Sequence, residues 1–269
     1  MNFMMNNRMP PNVVGELSKH FPITNHDLKF NPNIRDNFIK DIISKLPSNS
    51  KILDVSSGTK PYQQYCSHCD YKSHEFEGNT EILDVFRHEV NKKNDHDIYS
   101  PIDDIPVSDN EFDFVLCTEV FEHIPEPVNA MKELVRICKP GGKILITAPF
   151  VSRVHQQPYH FYSGFSSFFY KYLKEKFNLK IIDFKSQGDT FLLAYQENVQ
   201  IFRHVHPIIN NNINFKNIYN SIKDFITRYT ISMSNLYKSK INEHDNPDKM
   251  TEINDFNQST IGYCVVFEK

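Results

Sequence analysis

The chain has 269 residues, 39% of them apolar, enough to bury the core of one large α/β domain or two small ones. Its 30 basic and 33 acidic residues leave a formal net charge of -3, so it lacks the basic field on which non-specific nucleic-acid binding relies. The five cysteines, Cys66, Cys69, Cys117, Cys138 and Cys264, are odd in number and scattered, as in a reduced, cytoplasmic protein, and no segment approaches about eighteen uninterrupted apolar residues, so neither secretion nor a membrane span is expected.

Residues 1–30 are polar and Asn-rich and read as an irregular lead-in. From Pro32 to Leu46 the apolar residues Ile34, Phe38, Ile42, Ile43 and Leu46 recur at helical spacing, and Pro47 stops the helix. Lys51 to Val55, KILDV, is too short for a helix and reads as a buried parallel strand. It runs into Ser56-Ser57-Gly58-Thr59, small residues that let a ligand approach the backbone, and then into a second helix. Taken alone, these residues fit both a cofactor cradle and an ordinary strand-to-helix turn. The stretch ILDVSSGTKPY resembles the first motif of class I S-adenosylmethionine-dependent methyltransferases, an apolar strand followed by D-x-G-x-G-x-G. On that resemblance Asp54 is the family's acidic residue and Gly58 its second glycine, while Ser56 and Lys60 replace the first and third. A serine at position 56 is strained if the turn needs a positive φ there.

The next strand spans Tyr71 to Phe76, and Glu75 at its end stands about twenty residues beyond the loop, where a carboxylate can accept both hydroxyls of a ribose. The resemblance makes Glu75 the ribose-binding acid, with Glu77 close enough to compete; a solvated acid at a strand end is the alternative. Cys66 and Cys69 form a lone CxxC, two thiolates short of a structural zinc site. Asp97 and Ile98 stand where the family places the acid and apolar residue that hold the adenine.

A second buried strand, Phe112 to Cys117, opens the stretch DFVLCTEVFEHIPEP. The chain leaves it through Thr118 and presents Glu119, Glu122 and His123 before Pro125 and Pro127 redirect the backbone. These three fall at i, i+3 and i+4, one face of a helical turn, so they can converge on Mg²⁺, Mn²⁺ or Zn²⁺, with His155 or His160 completing the shell. They can equally shape a pocket that holds no ion. His123 and His155, with imidazoles that titrate near neutrality, are the candidate catalytic bases. Val128, Met131, Leu134, Val135 and Cys138 then mark a helix expected to end at Gly141-Gly142, and Lys143 to Ala148 is another strand. Strand, helix, strand, connection, strand, helix, strand argues for a parallel sheet with helices on both faces.

The block FDFVLCTEVFEHIPEPVNAMKELVRICKPGGKILITAPF resembles methyltransferases that act on small molecules and sugars, and the resemblance extends over roughly residues 50–186. Its E-x-x-E-H run is similar to that of ubiquinone-pathway O-methyltransferases and small-RNA 2′-O-methyltransferases, in which it binds a divalent ion that chelates a vicinal diol. Further on, Phe165, Phe168, Phe169, Tyr172, Leu173 and Phe177 form a helix whose aromatic stripe is expected in the core, and Lys180 to Phe184 is a strand. Residues 188–258 change pattern: two helices, Phe191 to Phe202 and Ile218 to Leu236, flank the polar run NNNIN and suggest an insertion acting as a lid or oligomer surface. Ile261 to Phe267 fits the last, antiparallel strand of the methyltransferase sheet.

The expected architecture is therefore a single α/β methyltransferase domain with a Rossmann-like, seven-stranded, mostly parallel sheet built from 31–187 and 259–269. The expected activity is S-adenosylmethionine-dependent O-methylation of a hydroxylated small molecule, a sugar or a catechol-like ring. Asp54, Ser56, Gly58, Glu75, Asp97, Ile98 and Thr118 face the cofactor in this reading. RNA 2′-O-methylation is one alternative, permitted by E-x-x-E-H; a cofactor-binding but inactive scaffold is another, suggested by Ser56 and Lys60 in place of glycines.

Overall fold

The computed structural model describes residues 30–76, 96–209, 213–241 and 260–269. They fall into two compact units, one containing Asn31–Gln187 and the carboxyl-terminal strand, the other the helices within Gly188–Lys249. The lead-in before residue 30, Glu77 and the run 242–259 lie outside the described residues.

The first unit is built on a seven-stranded sheet: β1 (Lys51–Val55), β2 (Asp70–Glu75), β3 (Ile98–Tyr99), β4 (Phe112–Thr118), β5 (Cys138–Pro149), β6 (Lys180–Ser186) and β7 (Gly262–Glu268). Their spatial order is β3-β2-β1-β4-β5-β7-β6. All neighbouring pairs are parallel except those of β7, which runs antiparallel to both β5 and β6. This is the Rossmann-like methyltransferase sheet expected from the sequence. The chain moves outward from β1 to β2 and β3, then returns to the other side of β1 for β4, so a switch point opens above the carboxyl ends of β1 and β4.

The central strands are continuous apolar runs because both sheet faces are covered. Alternation sends Leu53, Val55, Val115, Cys117, Ile144 and Ile146 into one core layer with Met131 and Leu134 of helix α2 (Pro127–Ile137) and with Tyr170 and Leu173 of helix α3 (Ser167–Lys176). The opposite residues, Ile52, Phe114, Leu116 and Leu145, pack with Phe38, Ile39 and Ile43 of helix α1 (Phe30–Ser44). A one-residue slip of any central strand would exchange these two layers, so the register is tightly specified.

Three local expectations are corrected. The connection from β1 to β2 holds a single 3-10 turn, Gln63–Tyr65, and no α-helix. Left-handed backbone at Ser56, Gly58 and Lys60, followed by Pro61, prevents a helix from propagating there. Helix α2 ends at Ile137, before the glycine pair, and Gly141 and Gly142 lie within β5, which begins at Cys138. The Lys269 ammonium closes that helix by donating to the carbonyls of Val135 and Cys138, at 2.8 Å each. Gly142 is needed for closeness: a Cβ there would lie 2.8 Å from Cys138 Sγ and 2.9 Å from the Lys139 carbonyl oxygen. Of the aromatic stripe around α3, Phe165, Phe169, Leu173 and Phe177 join the core as expected, whereas Phe168 and Tyr172 are exposed and Tyr170 supplies the fully buried ring.

The second unit contains α4 (Thr190–Ile209) and α5 (Ile213–Ile241). Buried Asp189 caps α4 by accepting from the amides of Phe191 and Leu192, and it ties the two helices together through the Ser234 hydroxyl, 2.6 Å away. No described helix is long and apolar enough to cross a membrane.

Candidate active site

Above β1, the backbone turns through three left-handed residues, Ser56 (φ 52°), Gly58 (φ 54°) and Lys60 (φ 55°). The first and third are the positions where the sequence has serine and lysine in place of glycine. Each carries a side chain in a region that costs roughly 1–2 kcal/mol. At Gly58 a Cβ would meet nothing within 4 Å, so its requirement is purely conformational and the space above it is open.

The turn is held by the end of β2. The Ser56 amide donates to His74 Nδ1 at 3.2 Å, the Ser57 amide to the His74 carbonyl at 2.9 Å, and the Gly58 amide to Glu75 Oε2 at 2.8 Å. Because His74 Nδ1 accepts, its Nε2–H donates to the Ser100 carbonyl, 3.0 Å away. Burial pushes the pKa of this imidazole down to about 4, so it is neutral in this network. Glu75 also accepts from the Phe76 amide, and Asp97 accepts from both the amide and the hydroxyl of Ser73. Ile98 is paired with His74 on the adjacent strand. Asp54 is fully buried; its Oδ2 accepts from the Tyr71 hydroxyl at 2.8 Å, while Oδ1 has no partner. Burial raises its carboxyl to about 7, against the opposing effect of the Tyr71 hydrogen bond.

On the far side of the switch point, β4 ends at Thr118 and the backbone takes a left-handed turn at Glu119 (φ 54°). Glu119 therefore leaves the helical turn that would set it beside Glu122 and His123. Its carboxylate accepts from the Thr147 hydroxyl at 2.9 Å and pairs with Arg35 at 3.3 Å. Phe121–His123 form a 3-10 turn, which buries Glu122 with Oε2 unpartnered. Burial, and then the nearby Glu119 carboxylate, push the Glu122 carboxyl well up, so it retains its proton at neutral pH.

His123 keeps Glu122 beside it, with Oε1 3.7 Å from its Nε2, and it gains two further neighbours that the spacing did not point to. It lies with His155 and His160, one ligand atom from each falling within 4.8 Å of the others. The cluster exists because the loop after β5 folds back over the 3-10 turn: the amides of Phe161 and Tyr162 donate to the Glu122 carbonyl, and the Tyr162 hydroxyl donates to the Pro125 carbonyl at 2.9 Å. The His123 Nδ1–H donates to the Tyr159 carbonyl. The same loop reaches the end of β2, where Tyr159 meets Phe76 edge to face with ring centroids 5.9 Å apart. It thus crosses the carboxyl ends of β4 and β1. Burial holds the His123 and His160 imidazoles below their ordinary pKa, with His155 adding to the effect at both.

The sequence reading missed His74, Tyr71 and Arg35. His74 had a readable signal: it is a strand residue next to the acid that closes β2, beside a small-residue turn. Arg35 had none, since its role depends on where α1 lies over the sheet.

Residues 53–146 match the methyltransferase domain family. Together with the strand order and the switch-point turn, this makes the segment a class I S-adenosylmethionine-dependent methyltransferase domain. The chain is 30% identical over 139 residues to demethylmenaquinone methyltransferase of Staphylococcus haemolyticus, covering 49% of this chain and 56% of that protein. It is 33% identical over 60 residues to ubiquinone biosynthesis O-methyltransferase of Thiobacillus denitrificans, covering 22% and 26%. The chain therefore spans about half the length, or less, of these relatives. Phosphoethanolamine N-methyltransferase 2 of Haemonchus contortus, in complex with S-adenosyl-L-methionine, superposes with a TM-score of 0.44 at 15% identity, covering 98% of this chain and 58% of that one.

Proposed function

We propose that the chain is a cytoplasmic S-adenosylmethionine-dependent methyltransferase acting on a hydroxyl of a small molecule, with residues 31–187 and 259–269 as its catalytic core and the helices of 188–258 as an insertion. The observation that carries this reading is the loop from β5, which runs from the imidazoles of His123 and His155 across the switch point to Phe76. That loop brings groups that accept protons to the same end of the sheet as a nucleoside-type cradle. The five cysteines are free, which agrees with a reducing compartment.

The residues present fit the cofactor. Gly58 leaves open space beside its backbone, and Asp54 has a buried carboxylate oxygen without a protein partner. In this reading Glu75 holds the ribose, Asp97 and Ile98 the adenine, and Asp54, Ser56, Gly58 and Thr118 the amino-acid end. When bound, S-adenosylmethionine supplies an electrophilic methyl group on sulfur and leaves as a thioether. The protein's own task is to align the acceptor oxygen with that methyl and draw off the hydroxyl proton. With Nδ1–H committed to a backbone carbonyl, the Nε2 lone pairs of His123 and His155 are the groups available for this. The name of one relative, an O-methyltransferase of ubiquinone biosynthesis, supports an oxygen atom as the acceptor.

Calorimetry with S-adenosylmethionine, paired with transfer of a labelled methyl group to a panel of sugars, catechols and hydroquinones, tests the proposal. Cofactor binding and alkali-stable ether products are expected. No binding at millimolar cofactor would overturn it, and binding without transfer to any hydroxyl would favour the inactive scaffold.

A further inference from the structure

The three imidazoles form a group that proton transfer alone does not need. Each of two has a main-chain carbonyl behind it: His123 Nδ1–H donates to Tyr159, and His155 Nδ1–H donates to Arg153 at 2.8 Å. This is how a protein fixes an imidazole tautomer so that Nε2 presents its lone pair outward. The third, His160, has both ring nitrogens shut off from water and neither has a hydrogen-bond partner. His160 itself is only partly buried, but ring nitrogens shut off from water cost stability unless something satisfies them.

We propose that His123, His155 and His160 form a binding site for a borderline divalent cation of the zinc and cobalt(II) type, with the buried Glu122 carboxyl at its edge. The donor set decides the class of ion. Three nitrogens without a thiolate suit zinc, cobalt and nickel, whereas magnesium and calcium require oxygen ligands. The oxygen-rich alternative of Glu119, Glu122 and His123 is disfavoured because Thr147 and Arg35 already engage Glu119. With Zn–N bonds of about 2.0–2.1 Å, nitrogens of a tetrahedral site lie about 3.3 Å apart. The ligand atoms here lie within 4.8 Å of one another, and exposed His155, on its loop, can supply the remaining movement. Glu122 Oε1 lies 3.7 Å from His123 Nε2, close enough to orient a bound water. With the ion bound, the Nε2 lone pairs of His123 and His155 would be its ligands and no longer bases. The coordination position that three protein ligands leave open would suit the acceptor hydroxyl oxygen and ease loss of its proton in their place. That last assignment rests on the methyltransferase reading above; the binding of the cation does not.

The test uses the untagged chain and Co²⁺ alone, followed by displacement with Zn²⁺. One Co²⁺ per chain is expected, with the visible d–d bands of a nitrogen-rich, four-coordinate site that one equivalent of Zn²⁺ abolishes. His155→Ala and His160→Ala should each weaken Zn²⁺ binding by more than about tenfold, the loss that even an outer-shell partner brings, while circular dichroism shows both variants folded. Glu119→Gln should leave Zn²⁺ affinity within about twofold, since Glu119 is outside this ligand set. Absence of cobalt bands, wild-type Zn²⁺ affinity in both histidine variants, or binding of Mg²⁺ alone that depends on Glu119 would each overturn the proposal. S-adenosylmethionine calorimetry on the same samples separates the two readings: cation binding without cofactor binding upholds this site and defeats the methyltransferase reading, and cofactor binding without cation binding does the reverse.

Discussion

The two sides of the switch point are built on opposite plans. On the β1–β2 side, the amides of Ser56, Ser57 and Gly58 are all taken by His74 or Glu75, and Asp97 is held by Ser73. On the β4–β5 side, Glu122 Oε2 and both nitrogens of His160 have no partner, and Phe161 and Tyr162 stand exposed. A side whose polar groups satisfy one another is pre-shaped for a ligand of fixed form. The other side spends its hydrogen bonds on placing the loop backbone, leaving side chains with unspent capacity. The proposed function calls for this division, with one side for an unchanging cofactor and the other for a reacting acceptor.

Asp54 is the exception on the ordered side, and it offers the largest test. Its folded-state pKa, about 7, lies above the 3.8 of the free side chain, so the folded chain holds a proton that the unfolded chain gives up. Stability from this group is full below pH 4 and is lost as pH rises through 7. At about 1.4 kcal/mol per pKa unit, the loss is on the order of 4 kcal/mol by pH 8. Asp54→Asn keeps an oxygen for the Tyr71 hydroxyl and removes the ionisation. Urea unfolding should find it more stable than the wild type at pH 8 by a few kcal/mol and nearly equal at pH 4. Equal pH slopes in the two proteins would show that Asp54 ionises freely and would remove it from the buried network.

His74 should pull the other way. Its pKa falls from 6.5 to about 4 in the folded chain, so stability from this group is full above pH 6.5 and is lost as pH drops toward 4. His74→Leu leaves the Ser56 amide and the Ser100 carbonyl without their imidazole partner in a buried place. Its expected cost is about 3 kcal/mol at pH 7 by denaturant unfolding, shrinking as the pH approaches 4. A variant within about 0.5 kcal/mol of wild type would mean that the turn is held without the imidazole.

The same contrast governs what was legible in the sequence. The apolar runs of β1, β4 and β5 and the helical spacing of Met131 and Leu134 are local patterns, and the sheet follows from them. Glu75 and Gly58 are also within reach of sequence reasoning, because a strand followed by a small-residue turn fixes their placement. The acceptor side depends on long-range return of the chain: His123 meets His155 and His160 only because the β5 loop folds onto the Glu122 carbonyl. The i, i+3, i+4 spacing of Glu119, Glu122 and His123 implied one helical face; Glu122 does stay beside His123, but the left-handed backbone at Glu119 turns that carboxylate to Thr147 and Arg35. The helix expected after Gly58 failed for the same reason, since spacing arguments assume a regular backbone and three left-handed residues deny it.

Those left-handed residues give a smaller test. Ser56→Gly should relieve roughly 1–2 kcal/mol of backbone strain. It also gives the unfolded chain about 0.5–1 kcal/mol of added entropy, so the net gain is about 0.5–1 kcal/mol. Gly58→Ala should lose about 1 kcal/mol with no steric contribution, because its Cβ has nothing within 4 Å. Opposite signs for the two substitutions, read by thermal unfolding, would confirm that the turn is strained by residue type alone. If Ser56→Gly also tightens S-adenosylmethionine binding, the lost glycine limits cofactor affinity.

The smallest expected effect addresses how the two sides communicate. The Phe76–Tyr159 contact joins the ordered end of β2 to the acceptor loop. Phe76 is 38% exposed, and an edge-to-face pair adds only about 0.5–1.5 kcal/mol even when well packed, so Phe76→Ala should change global stability little. Its influence should appear instead in the acceptor loop. Loss of the ring frees the loop at its far end while the hydrogen bonds to the Glu122 carbonyl keep its near end in place. Acceptor KM should rise several-fold while S-adenosylmethionine affinity, which the proposed function assigns to the β1–β2 network, stays within about twofold. A double-mutant cycle with Tyr159→Ala should give a coupling below about 1 kcal/mol in KM and none in cofactor binding. Equal losses in both affinities would mean that the two sides form one coupled unit, and the division between a finished cofactor cradle and an adaptable acceptor face would have to be abandoned.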